Sequence, residues 1–290
     1  MERRKIKYLV LGASGMAGHT IAIYLQERGY DVTAFTRNPF PYCNNNITGD
    51  AMDRNLIVSI LQENDYDVVI NCIGLLNKDC DVEQSMAVYL NSYLPYLIKD
   101  VIKDSKTKLI HMSTDCVFSG KKGKYNENSF CDGDTFYDRT KALGEVEDNK
   151  NLTFRNSIVG PDMNIKGIGL FNWFMEQNGT INGYLKAIWT GVTTLTLAKA
   201  MEKAYIQNIT GIYNLVNNET ISKFDLLNLF NKHLKNGSTN IVPSDRVDLD
   251  KSLINNRNDF SFEVPSYETM VIEMRDWINK HKELYPHYFI

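Results

Sequence analysis

The feature that most constrains this chain is an alternation of short apolar runs with helical patterns across its first two thirds. Residues 7–11, 31–35, 67–71 and 108–112 are each about five long and rich in Val, Ile and Leu. Runs of that length and composition read as strands buried on both faces, the habit of parallel sheets. Between them, 16–28, 54–63, 86–103 and 137–148 carry apolar residues at helical spacing. Strand-helix alternation implies right-handed crossovers and an α/β, Rossmann-like doubly wound parallel sheet.

The rhythm changes after Gly160. A Gly-rich aromatic stretch leads through 179–189 to a helix near 193–205, one more strand at 211–216, and two helices at 223–234 and 267–280. The expected organisation is a dinucleotide-binding domain over 1–157 plus about 192–217. A smaller substrate-binding lobe, over 158–191 plus 218–290, should lie above the carboxyl ends of the sheet.

Several function classes are disfavoured at once. There are 32 Lys+Arg against 35 Asp+Glu, a net charge of −3, so no charge excess names nucleic acid or a membrane surface as partner. Five cysteines form no C-x-x-C pair, which argues against a disulfide framework or a structural zinc site. The five histidines show no metal-ligand spacing. The basic start Met1–Lys5 precedes an apolar run that Gly12 breaks at once, far short of a secretory leader. A cytoplasmic protein, monomeric or homodimeric, is the expectation. The aromatic tail 284–290 is expected to pack on its own lobe.

The first run leads directly into Gly12-Ala13-Ser14-Gly15-Met16-Ala17-Gly18 and then a helix. Such glycines allow a tight turn, close approach of backbone to a pyrophosphate, and close packing of helix on strand. The helix N-terminus adds free N–H groups and a partial positive charge. Arg37 ends the second run, where a basic residue suits the 2′-phosphate of NADP and an acidic one the bare ribose of NAD. No Asp or Glu occurs from Val32 to Asn46, so NADP(H) is expected, with NAD(H) possible. Asp50 stands in the next loop as an adenine partner or a turn acid. Asn71-Cys72-Ile73-Gly74 closes the third strand where the loop should pass under the cofactor, and Asn91 reads as a buried amide or a brace.

The fourth run ends in Ser113-Thr114-Asp115-Cys116, and Tyr137-x-x-x-Lys141 follows. Residues four apart share a helix face. A free phenol titrates near 10, and a neighbouring ammonium would bring it closer to working pH. Such a tyrosine can protonate a carbonyl oxygen while hydride reaches the carbon, with the Thr114 hydroxyl holding that oxygen. A lone Tyr-x-x-x-Lys proves little; its order after the glycine loop and a hydroxyl-ended strand gives it weight. Arg155, Ser157 and Trp189 are expected to line the crevice between sheet and lobe, with Arg155 either pairing a diphosphate or held in a structural salt bridge.

Together, the glycine loop, Asn71 to Gly74, Asn91, Thr114 and Tyr137-x-x-x-Lys141 resemble the extended short-chain dehydrogenase/reductase superfamily. Within it, the chain resembles the dTDP-4-dehydrorhamnose reductase family. The likeness rests on Met112-Ser-Thr-Asp-Cys-Val-Phe-Ser-Gly120, Arg155-Asn-Ser-Ile-Val-Gly160 and Trp189-Thr-Gly-Val-Thr-Thr-Leu-Thr-Leu-Ala198. It covers most of residues 6–235. The resemblance implies NADP-dependent reduction of a nucleotide-linked 4-keto-6-deoxy sugar for polysaccharide or cell-surface sugar synthesis. It implies that Thr114 holds the keto oxygen, Tyr137 protonates it, and Lys141 binds the nicotinamide ribose. Leu11 stands where many relatives carry Thr, and Cys116 where an aromatic residue is common. Sugar dehydratases of the superfamily carry Thr-Asp-Glu where this chain has Thr114-Asp115-Cys116, which disfavours elimination. The alternatives are a nucleotide-sugar epimerase of the same superfamily and a non-catalytic NADP-binding regulatory subunit, since the regulatory subunit of methionine adenosyltransferase resembles the same reductases.

Overall fold

The structure, a computed structural model, describes residues 4–289; Met1, Glu2 and Arg3 of the basic start, and Ile290, lie outside the described residues. All four apolar runs form strands over almost the expected residues: Lys7–Leu11 (β1), Asp31–Thr36 (β2) and, further on, Val68–Asn71 and Lys108–Met112. Between β1 and β2 runs Met16–Glu27 (α1), whose apolar face is wholly buried. A short strand, Asn45–Thr48 (β3), follows β2 without having been expected. It is polar and mostly exposed because it borders the sheet and has a neighbour on one side alone. Arg54–Glu63 (α2) starts where predicted, its N-terminal amides of Asn55 and Leu56 capped by the Asp53 carboxylate. Val68–Asn71 is β4.

The single helix expected over 86–103 is broken into pieces. Asp79–Val82 (α3) and Gln84–Ala87 (α4) lead into a π-helical segment, Val88–Tyr93, before α-geometry resumes at Leu94–Val101 (α5) with Pro95 in its first turn. Widened turns of this kind tend to occur at functional sites, where they re-aim side chains. Here the segment carries Asn91 inward. Lys108–Met112 (β5) is followed by Phe136–Leu143 (α6), which ends five residues earlier than expected. Gly144 ends it, and a Cβ there would lie 1.8 Å from the Asn91 carbonyl oxygen, so the helix end presses directly on the π segment.

Leu152–Arg155 (β6) and Ser157–Val159 (β7) precede Leu170–Glu176 (α7), Thr180–Trp189 (β8), Gly191–Thr193 (β9) and Thr194–Ile206 (α8). Gly211–Asn214 (β10), Ile221–Ser222 (β11), Lys223–Leu234 (α9), Asn240–Asp250 (β12) and Tyr267–Lys280 (α10) complete the chain.

The main sheet has seven strands in the order β10-β6-β5-β4-β1-β2-β3, and every pairing in it is parallel. The order reverses between β1 and β4, so their carboxyl ends diverge and open a crevice. A three-stranded sheet, β11-β8-β12, and a parallel pair, β7-β9, lie beyond it. Helix α8 packs on α1, and α10 packs on α8, α9 and β9. Among the described residues no helix is long and apolar enough to cross a membrane.

Candidate active site

The crevice between β1 and β4 is lined by Gly12, Ser14 and Gly15 on one side and by Cys72, Ile73 and Gly74 on the other. Gly12 adopts a φ of +78°, a conformation that side chains resist, and a Cβ on it would stand 3.0 Å from the Ile73 side chain. Gly18 meets the turn from the helix side: its Cβ would lie 2.1 Å from the Gly12 carbonyl oxygen. These two positions therefore bring turn, helix and β4 loop into contact. Helix α1 opens at Gly15 with no side-chain cap and no acidic residue in its first turn. Its free N–H groups and positive dipole end suit a diphosphate.

Arg37 and Asp50 line the far end of the same cleft, next to Thr36 and Met52. Arg37 is exposed and makes no ion pair among the described residues. Asp50 accepts the Met52 amide at 2.9 Å, so it shapes the turn as well as facing the cleft. Met16 packs toward Gly169 rather than into the cleft.

Asn91 does not face the cleft. Its oxygen accepts the Leu75 amide at 2.8 Å, and its nitrogen donates to the Leu75 carbonyl at 3.0 Å and to the Thr140 hydroxyl at 3.1 Å. The buried amide is spent tying the β4 loop to α6, the bracing role that spacing had left open.

At the end of β5, the Thr114 hydroxyl accepts the Cys116 amide and donates to the Asp115 carboxylate, each at 3.1 Å. A capping box between Thr135 and Asp138 fixes the start of α6, and Tyr137 and Lys141 follow on that helix. Burial pushes the Tyr137 phenol well above its ordinary value, the neighbouring Cys116 adds to this, and a hydrogen bond with Thr114 opposes it. That direction is opposite to the expected one. Desolvation outweighs a cation whose hydrogen bond goes elsewhere: the Lys141 ammonium donates to the Met112 carbonyl at 2.6 Å. Lys141 is itself buried, which lowers its pKa to about 8 against the opposing charge of Glu145.

The family description "RmlD substrate binding domain" matches residues 6–159, slightly more than half of the chain. The chain belongs to this family.

Its relatives include a probable low-salt glycan biosynthesis reductase, Agl14, from Haloferax volcanii, 32% identical over 139 residues. That match covers 47% of this chain and 46% of the relative, so the chain spans about half the length of that protein. The spore coat polysaccharide biosynthesis protein SpsK of Bacillus subtilis is 26% identical over 226 residues, 76% of each chain. Among solved structures, a dTDP-4-dehydrorhamnose reductase from Bacillus anthracis, in complex with NADP, superposes with a TM-score of 0.78. Its identity is 18%, with 93% of this chain and 99% of that one covered, a likeness of fold.

Two of the expected substrate residues of this RmlD-type chain are placed elsewhere. Arg155 is buried, with Nε and Nη2 on the Glu145 carboxylate at 2.7 and 2.6 Å and Nη1 donating to the Glu127 carbonyl. Its plane also lies over the Phe118 ring at 5.3 Å. Saturated in this way, it has no face for a diphosphate. Trp189 is a core residue packed against the Tyr267 ring. Ser157, on β7, stays partly exposed. Sequence reasoning missed Glu145, which also accepts the Ser113 hydroxyl at 2.6 Å beside Thr114. Its position four residues beyond Lys141 was the available signal. It also missed Met86 and Leu90, a helical pair that walls the cleft.

Proposed function

We propose that this chain is an NADPH-dependent reductase of a nucleotide-activated 4-keto-6-deoxy sugar, working in the cytoplasm in polysaccharide or cell-surface sugar synthesis. What supports the reading is the nearness of Lys141 to Gly74 on the wall of an uncapped, glycine-lined cleft, with Tyr137 one helical turn before it and hydrogen-bonded to Thr114. NADPH, when bound, supplies the hydride. The residues of the chain do the rest. Ser14, Gly15 and the start of α1 would hold the diphosphate, Arg37 the 2′-phosphate, and Lys141 the nicotinamide ribose. Thr114 holds the keto oxygen, and Tyr137 gives it a proton. A phenol pushed upward by burial stays protonated at neutral pH, which is the form a proton donor needs in the reductive direction.

The reductase and polysaccharide names among the relatives support the substrate class. The test is NADPH consumption by the purified chain with a panel of 4-keto-6-deoxy sugar nucleotides. Turnover with at least one is expected, and Tyr137→Phe should lower it roughly 10²–10⁴-fold while NADPH still binds. Sugar conversion with no net oxidation would mean an epimerase. Binding of NADPH without turnover of any substrate would mean a regulatory protein.

A further inference from the structure

After α10 the chain makes a short turn over Lys282–Leu284, and the fully buried ring of Tyr285 comes to rest against α1. The Tyr285 hydroxyl lies 3.0 Å from the indole nitrogen of Trp277 and 2.7 Å from Nε2 of His19. Nδ1 of His19 lies 2.9 Å from the Gly15 carbonyl oxygen, which also accepts the His19 backbone N–H at 3.0 Å.

The donor directions follow from the atoms at the two ends. An indole N–H can only donate and a carbonyl can only accept. Trp277 therefore donates to the Tyr285 oxygen, Tyr285 donates to Nε2, and Nδ1–H donates to Gly15. One neutral tautomer satisfies every partner, and burial, which lowers the His19 pKa to about 4, keeps the ring neutral. The Thr20 hydroxyl sits 3.4 Å from Nε2 and 3.2 Å from the Thr194 hydroxyl, at the margin of the same cluster.

We propose that this buried relay from the C-terminal segment positions and polarises the Gly15–Met16 peptide for binding the diphosphate of a dinucleotide. The Gly15 carbonyl and the Met16 N–H belong to one peptide group. Two donors on the oxygen draw electron density from the nitrogen and strengthen its N–H as a donor. That N–H is the first amide of an uncapped helix, and first-turn amides lack intrahelical acceptors. Residues 266 apart in sequence thus act on one amide of the glycine loop. His19 and Tyr285 are positioning residues.

The proposal rests on the reading that the chain binds a dinucleotide, and the test separates the two. Dissociation constants are measured on the full chain for NADPH and ADP, which carry the diphosphate, and for adenosine 2′-monophosphate, which lacks it. His19→Ala should weaken NADPH and ADP about threefold to tenfold, the scale of one lost hydrogen bond, and leave adenosine 2′-monophosphate unchanged. His19→Asn, whose amide can replace Nδ1–H, should restore most of the loss. Tyr285→Phe keeps the packing and removes only the hydroxyl, so it decides the matter if His19→Ala fails to fold; it should weaken the diphosphate ligands by roughly twofold or more. Unchanged NADPH affinity in the folded variants, or equal weakening of both ligand classes, overturns the relay. An unmodified chain that binds none of these ligands would remove the dinucleotide reading and the relay together.

Discussion

Arg155 and Arg37 show how the surroundings of a guanidinium set its use. The Arg155–Glu145 pair is shut away from water, both side chains being about 95% buried. Removing one member of such a pair leaves a desolvated charge behind, typically at a cost of about 3–5 kcal/mol. Arg155→Ala is therefore expected to lower the denaturation midpoint sharply, and a variant as stable as the parent would contradict that. Arg37, exposed at the mouth of the cleft, has no such partner among the described residues. Charge-assisted hydrogen bonds to a 2′-phosphate contribute on the order of 1.5–3 kcal/mol. Arg37→Ala should raise KM for NADPH roughly tenfold to a hundredfold and leave NADH nearly untouched. The preference should also shrink as salt rises, because the contact is at a wet rim. Equal use of NADH by the parent would reduce Arg37 to a surface residue.

At the scale of elements, the close contact of α1 with the β1 turn sets what the glycine loop tolerates. Alanine ordinarily favours a helix over glycine by about 1 kcal/mol. At Gly18 a Cβ would overlap the Gly12 carbonyl at 2.1 Å, and backbone on both sides leaves nothing flexible to give way. The overlap wins: Gly18→Ala should destabilise by roughly 1–3 kcal/mol and weaken NADPH binding, as read by melting with and without the dinucleotide. The elements most legible in the sequence were the buried strands and the amphipathic helices α1, α2, α9 and α10, whose patterns are local. The border strand β3 was not, since an exposed Asn-Asn-Ile-Thr run has no apolar signature. Nor was β12, exposed along much of its length and holding Pro243. The glycine loop was readable because its glycines act within one turn and the helix that follows it, whereas what Lys141 touches was not, since it donates to Met112, 29 residues away. The burial of Arg155 and Trp189 was not, because it depends on Glu145 and Tyr267 arriving from other elements.

For the molecule as a whole, two buried histidines tie stability to pH. His19 is lowered to about 4 and His111 well below its ordinary 6.5, in both cases chiefly by burial. Unfolded, each takes up a proton near 6.5; folded, each resists it. Their stabilising effect is complete above about pH 6.5 and is lost as pH falls toward 4. The urea midpoint should therefore fall between pH 7 and pH 5, and His19→Asn should flatten that slope. A slope unaffected by the substitution would show that other groups control it. Activity is limited from the other side. Lys141, lowered to about 8, loses its ammonium as pH rises through that value, so kcat/KM for NADPH should decline there.

The family match ends at residue 159, but the packing does not stop there. Strand β6 has β10 as its outer neighbour, and α1 is covered by α8, both contributed from beyond that point. One continuous apolar core includes Val10 and Ile21 together with Met201, Phe230, Met274 and Tyr285. A fragment cut at residue 159 would expose an unpaired strand edge and a greasy helix face, both invitations to aggregate. The intact chain should melt as one cooperative unit. The stretch that matches the family description and the folding unit are thus different lengths of the same polypeptide.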